Sequence, residues 1–169
     1  NGLNVTYNQR AVLLDRPEIR LMLSLLKVIN DPYNDTELAK VLMSPLYCFT
    51  ADDMARLRTG TFGFDISKIR AECADELEKY CLGTKEIVGM KRKPLYSCVM
   101  QAVRGYDTSE YEKLHELTKD IKPDAKCAGF VNDLDSFRNA ATASSPQELI
   151  RNIYDRISAD ELLSVGDDP

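Results

Sequence analysis

Apolar residues recur at steps of three and four along almost the whole chain, and short polar signals separate the stretches that carry them. This spacing places apolar side chains on one face of a helix, whereas a half-buried strand alternates with period two. No segment alternates for long, and no repeat of fixed length occurs. We therefore predict an all-α fold, a single irregular bundle of about eight to nine helices with little or no sheet.

Capping signals predict where several helices begin and end. The start signals are Asn34 with Glu37, Thr50 with Asp53, and Ser145-Pro146-Gln147-Glu148. Gly83 is a natural stop for a helix that starts near Asp65, and a further helix is expected from Thr108. The first two helices should pack against each other through a leucine core of Leu23, Leu26, Leu38 and Leu42.

Length and charge limit the class of protein. The chain has 169 residues and a formal net charge of -5, which fits one domain and disfavours a protein that coats DNA by bulk charge. It begins Asn1-Gly2-Leu3 without methionine, so we expect residues 1–169 to form one helical domain excised from a larger multidomain protein. Since no signal peptide and no long apolar run occurs, we expect a cytoplasmic location and no membrane partner.

The residues that could carry chemistry form no recognisable constellation. Five cysteines occur without a CxxC pair, which favours free and mostly buried thiols, and the single His115 has no zinc-ligand spacing. The sequence lacks GxxxxGK[ST], GxGxxG, GxSxG and HExxH. Carboxylate pairs such as Asp52-Asp53 lie near helix starts, where they serve as caps. We predict no catalytic, cofactor-binding or metal-binding residue in this chain.

One basic segment stands out from the acidic chain. Residues 85–93 contain four basic residues and one acidic residue, a local charge of +3 that leaves -8 for the rest. We predict that residues 83–93 form a basic inserted loop and that Lys85, Lys91, Arg92 and Lys93 bind nucleic acid through its phosphates. A surface loop that only aids solubility is the alternative.

Two blocks of the sequence resemble a known family. Between Glu18 and Arg58, a helix ends in Asn-Asp-Pro, and Asp-x-x-Leu-Ala-x-Val-Leu-x-Ser-Pro-Leu follows, then Phe-Thr before a helix with Asp-Asp-Met. A weaker block runs from Lys126 to Asp155. These blocks resemble the 2B subdomain of superfamily 1 DNA helicases of the UvrD/Rep type, and most closely the AddA (RexA) family, the helicase-nuclease component of the AddAB recombination enzymes.

The resemblance implies an accessory domain of an ATP-dependent DNA helicase, a hydrolase of double-strand break repair and recombination. Such a domain contacts duplex DNA, weakly and without sequence preference, and the motor domains of its own chain. ATP, magnesium and any nuclease site would lie outside these residues, and a second helicase-nuclease subunit is a further implied partner. A helical protein–protein docking module without DNA contact is the alternative.

Overall fold

The structure, a computed structural model, describes residues 16–88, 93–122 and 124–157, and in residues 83–88 and 156–157 the backbone alone. These residues form eight α-helices and no strand, which confirms the all-α prediction. The helices are α1 Pro17–Asn30, α2 Asp35–Leu42, α3 Ala51–Thr59, α4 Ile66–Val88, α5 Leu95–Arg104, α6 Glu112–Thr118, α7 Ala125–Ala143 and α8 Pro146–Ile157.

The chain divides into two compact units. The terminal unit combines Asn1–Cys48 with Asp133–Pro169, and the central unit is Phe49–Asn132. The boundary falls within α7, so one helix contributes to both units. The prediction that residues 1–169 act as a single domain stays a prediction.

In the terminal unit, α1 packs against α2. Pro17 occupies the first turn of α1, and the Asn34 side chain caps α2 by accepting from the Glu37 amide at 3.3 Å. Leu38 and Leu42 are fully buried, as predicted. Leu23 was wrongly placed in the core: it is 43% exposed, and the first helix buries Leu25 instead. Two residues along a helix rotate the side chain by about 200°, so Leu23 and Leu25 point in nearly opposite directions.

The last helix of the terminal unit starts as its sequence predicts. Oε2 of Glu148 accepts hydrogen bonds from the Ser145 amide at 2.8 Å and the Ser145 hydroxyl at 3.0 Å. The Glu148 amide in turn donates to the Ser145 hydroxyl at 3.3 Å. This reciprocal pair satisfies amides that the first turn of a helix leaves without a partner. Behind it, α8 buries Ile153 completely.

The central unit has an aromatic core. Its buried residues are Phe64, Ile69, Cys73, Leu77, Tyr80 and Leu114. The ring of Tyr80 meets that of Phe64 at 6.1 Å and, edge to face, that of Tyr111 at 5.8 Å between ring centroids. Such geometries add to the stabilisation that burial alone provides. At the entrance to this unit, Thr50 and Asp53 form the predicted capping box of α3.

Helix α4 departs from its prediction in two ways. It continues through Gly83 to Val88, so the first part of the predicted loop 83–93 is helical. Glycine inside a helix costs only about 1 kcal/mol, and no proline follows to stop the helix, so the glycine does not act as a cap. At Cys73 the backbone leaves helical geometry, with φ -149° and ψ 52°, and the helix kinks there.

Helix α6 begins later than predicted because its cap comes from another helix. It starts at Glu112 rather than near Thr108, and Oε2 of Glu76 in α4 accepts from the Leu114 amide at 3.0 Å. Thr108 is buried and bonds the Thr118 hydroxyl at 2.9 Å. Its hydroxyl therefore closes the loop onto α6 and does not start a helix.

The five cysteines are free thiols, as predicted. Cys73, Cys98 and Cys127 are buried, and Cys48 is exposed. Burial raises the pKa of the Cys127 thiol to about 12 and also raises that of Cys73. These two thiols therefore behave as small apolar core groups. Within the described ranges, no helix combines the length and apolarity that a membrane crossing needs.

Candidate nucleic-acid interface

Only one of the four predicted nucleic-acid-binding side chains lies in the described part of the chain. Lys93 precedes α5, and its side chain is described. Lys85 falls in the last turns of α4, where the backbone alone is described, and Lys91 and Arg92 lie outside the described residues. Whether the four side chains come together stays a prediction.

Lys93 lies beside a second basic residue that the sequence analysis missed. Nη1 of Arg58, from the last turn of α3, donates to the carbonyl oxygen of Lys93 at 2.5 Å. Nζ of Lys93 donates to Oε1 of Gln101 in α5. All three residues are half-buried. The contact joins positions 35 residues apart, so no local charge pattern in the sequence could have revealed it.

This arrangement, which we call the Arg58–Lys93 corner, fixes two cationic residues at one place on the central unit. Guanidinium and ammonium groups are the side chains that proteins use to contact phosphate oxygens. Gln101 brings no negative charge to the corner. The corner therefore offers a structured start to the basic segment that follows from the sequence.

A second basic arrangement lies in the terminal unit, around Glu37. Oε1 of this buried carboxylate accepts from Nζ of Lys27 in α1 at 3.2 Å and from Nζ of Lys40 in α2 at 3.1 Å. The Ser24 hydroxyl and the two lysines lower the pKa of Glu37 to about 2 against the opposing effect of burial. Oε2 itself meets no donor at ordinary hydrogen-bond distance among the described residues.

Glu37 should make the terminal unit sensitive to acid. Its pKa is about 2 when folded and 4.5 ordinarily, so the folded state favours the charged form. The resulting stabilisation is complete above about pH 4.5 and is lost as the pH falls toward 2. We expect Glu37→Gln to lower the melting temperature at pH 7 and to differ progressively less from wild type between pH 4.5 and 2. A difference that stays constant over that range would contradict the assignment.

The other titratable groups have structural partners. His115 is exposed, and its Nδ1 lies 3.2 Å from the Thr108 hydroxyl. Asp52 pairs with Arg56 at 2.7 Å, and Asp53 both caps α3 and pairs with Lys126 at 3.3 Å. These contacts place the Asp52-Asp53 pair in capping and ion pairing, as the sequence analysis proposed.

The residues present do not fit the ATP and magnesium that the resemblance implies for the parent protein. In the described ranges, no group of three or more His, Cys, Asp or Glu side chains could hold a metal ion. The full sequence has no phosphate-binding GxxxxGK[ST] loop. We derive no chemistry through either group.

The chain shares its sequence with proteins of the helicase/nuclease class. It is 31% identical over 137 residues to the A subunit of the ATP-dependent helicase/nuclease of Geobacillus thermodenitrificans, a match that covers 81% of this chain and 8% of that protein. The protein of the same name from Geobacillus kaustophilus is 32% identical over 82% of this chain and 10% of its own length. That of Streptococcus pyogenes serotype M5 is 30% identical over 81% and 9%.

These similarities confirm the predicted resemblance to the AddA family of helicase/nuclease proteins. The chain spans about a tenth of the length of the curated relatives it matches. No protein-family profile and no solved structure matches it.

Proposed function

We propose that this chain is a 2B-like accessory domain of an ATP-dependent DNA helicase/nuclease that acts in double-strand break repair and recombination. The observation that carries the proposal is a similarity over four fifths of the chain to proteins of that name, confined to about a tenth of their length. A segment of this size corresponds to one domain of a much longer enzyme. The chain would position DNA while the rest of the enzyme performs catalysis.

The proposal assigns partners by chemistry. ATP and magnesium would bind the motor domains of the same polypeptide, which this chain contacts, and a second helicase-nuclease subunit would complete the enzyme. The whole assembly would work in the cytoplasm, where the chromosome of a bacterium lies. Duplex DNA would be held weakly and without sequence preference, because phosphate contacts carry no sequence information.

The DNA contact is proposed at Lys85, Lys91, Arg92 and Lys93, together with Arg58. The Arg58–Lys93 corner supports this choice, since it anchors the start of α5 next to the basic segment. The remaining chain is acidic, so a positive site on it would act locally and any affinity would fall steeply with salt. In the parent enzyme, tethering to the motor would raise the effective concentration of this weak site.

Reversing the charge of the segment should remove most duplex binding. The variant Lys91→Glu/Arg92→Glu/Lys93→Glu is compared with wild type by fluorescence anisotropy of a labelled 20-base-pair duplex at low salt. Four contacts would give wild type a slope of log affinity against log salt no steeper than about -3.6, and loss of three would leave about -0.9. Gln101 can still donate its amide to a glutamate at position 93, so the corner should remain folded.

The matched control reverses three exposed charges on α4, in the variant Lys68→Glu/Arg70→Glu/Lys79→Glu. It changes the net charge by the same amount on the same unit. We expect it to bind the duplex with nearly the wild-type slope. Equal weakening by both variants would mean that net charge, and not the basic segment, governs binding.

A protein-docking function is the second candidate. It is favoured by the acidic remainder of the chain and by Ile150 and Tyr154, two exposed apolar residues one turn apart on α8. Exposed apolar side chains at this spacing form one face of a helix, which suits a protein surface better than a phosphate backbone. Wild-type binding that persists unchanged in the segment variant would favour this function.

A further inference from the structure

The terminal unit contains two lysines whose ammonium groups are held together by one buried oxygen. Lys27 lies in α1 and Lys40 in α2, and both donate to Oε1 of Glu37. Each ammonium lies little more than 3 Å from that oxygen, so the two are at most about 6 Å apart. The side chains are 59% and 57% exposed, whereas that of Glu37 is 10% exposed. The carboxylate is thus covered, while both cations face solvent.

The pair keeps most of its hydrogen-bonding capacity. An ammonium group has three N–H donors and no acceptor. Each lysine uses one donor on Glu37, and the described residues give neither lysine another hydrogen bond or ion pair. Four donors remain for a ligand, and the group of two lysines and one carboxylate keeps a net charge of +1. Such a group can bind an anion without first losing the freedom of two long side chains.

The positive charge extends along α1. Arg20 precedes Lys27 by seven residues, which places the two within about 20° on the helix surface and about 10 Å apart along its axis. Glu18 is the one acidic residue of α1, and it lies nine residues from Lys27, on the opposite side. The face of α1 that carries Lys27 is therefore basic although the whole chain is acidic.

We propose that Lys27 and Lys40 form a second phosphate contact for nucleic acid, in the terminal unit, with Glu37 as the positioning residue that holds them together. The inference rests on the proposed function for its choice of nucleic acid. The chemistry favours phosphate over a peptide carboxylate. Two point charges suit the oxygens of a phosphate, whereas planar carboxylates are bound best by the fork of an arginine. The basic segment 85–93 belongs to the central unit, so the two contacts can be tested separately.

Neutralising the pair should weaken duplex binding by a defined amount. The variant Lys27→Gln/Lys40→Gln of this chain is titrated with the same labelled 20-base-pair duplex between 20 and about 150 mM salt. Loss of two phosphate contacts should make the slope of log affinity against log salt shallower by about 1.8. The control Lys68→Gln/Lys79→Gln removes the same charge from exposed positions of α4 and should leave the slope within about 0.3 of wild type.

Two further variants separate binding from folding. Lys27→Gln/Glu37→Gln/Lys40→Gln leaves no buried carboxylate without a partner and lowers the net charge by one instead of two, yet it should show the same loss of slope. Lys27→Arg/Lys40→Arg keeps both charges and should bind like wild type. A triple variant that is folded by circular dichroism and keeps the wild-type slope would overturn the proposal.

The outcomes also distinguish this inference from the proposed function. Wild-type binding by the lysine-pair variants, with loss of binding by the segment variant, would overturn the inference and leave the proposed function standing. Failure of wild type to bind duplex at 20 mM salt would overturn both. A poly-glutamate peptide that binds in a manner dependent on Lys27 and Lys40, while the duplex does not, would replace the nucleic acid with an acidic protein and overturn the proposal.

Discussion

Replacing Leu38 with alanine should lower the free energy of unfolding by about 2–5 kcal/mol. Leu38 is fully buried in α2, where it packs toward α1 beside the equally buried Val41 and Leu42. Truncation removes three carbon atoms from a close-packed region and leaves a cavity that neighbouring side chains fill only in part. Urea titration followed by circular dichroism at 222 nm measures the loss.

The matched control makes the same chemical change at Leu23. This residue lies in α1 of the same unit but is 43% exposed. Leu23→Ala should change the free energy of unfolding by less than about 0.5 kcal/mol. Similar losses for the two variants would show that α1 buries a different face from the one that contains Leu25.

This pair of residues also shows what the apolar period can and cannot predict. Spacing of three and four identifies α1 as a helix, but α1 carries apolar residues around most of its circumference. The side that is buried depends on where α2 packs, and that contact joins residues distant in the sequence. The sequence analysis therefore chose Leu23 and Leu26 where the structure buries Leu25, Val28 and Ile29.

Helix ends divide in the same way between local and distant causes. The caps at Thr50 and Ser145 were predictable because donor and acceptor lie within three residues of each other. The start of α6 was not, because its capping carboxylate belongs to Glu76, 38 residues earlier. A local pattern cannot encode a cap that only tertiary packing supplies.

The basic groups follow the same rule. Charge density along the sequence finds residues 85–93, since four basic residues lie within nine positions. It does not find Arg58 beside Lys93, or Lys27 beside Lys40, because helix packing creates both pairs. The second pair also needs Glu37, whose capping position in the sequence gives no sign that its side chain joins two lysines.

Replacing Gly60 with alanine should lower the free energy of unfolding by about 2–4 kcal/mol. Gly60 ends α3 in the left-handed region, with φ +68° and ψ 27°, a conformation that glycine adopts far more easily than other residues. A Cβ at this position would lie 2.9 Å from the Tyr80 hydroxyl, which donates to the Gly60 carbonyl at 2.9 Å. The substitution therefore adds backbone strain and displaces a buried donor from its acceptor.

The Tyr80 hydroxyl has reason to keep that acceptor. Tyr80 is buried in the core of the central unit, and burial raises its pKa well above the ordinary range, so the hydroxyl stays protonated and remains a donor. The control is Gly129→Ala, inside α7, where an added Cβ meets no atom within 4 Å. Alanine favours a helix interior over glycine, so this change should raise the free energy of unfolding by about 0.5–1 kcal/mol. Opposite signs for the same substitution, measured by urea titration, would show that conformation and contact at Gly60 determine the loss; a neutral Gly60→Ala would contradict both.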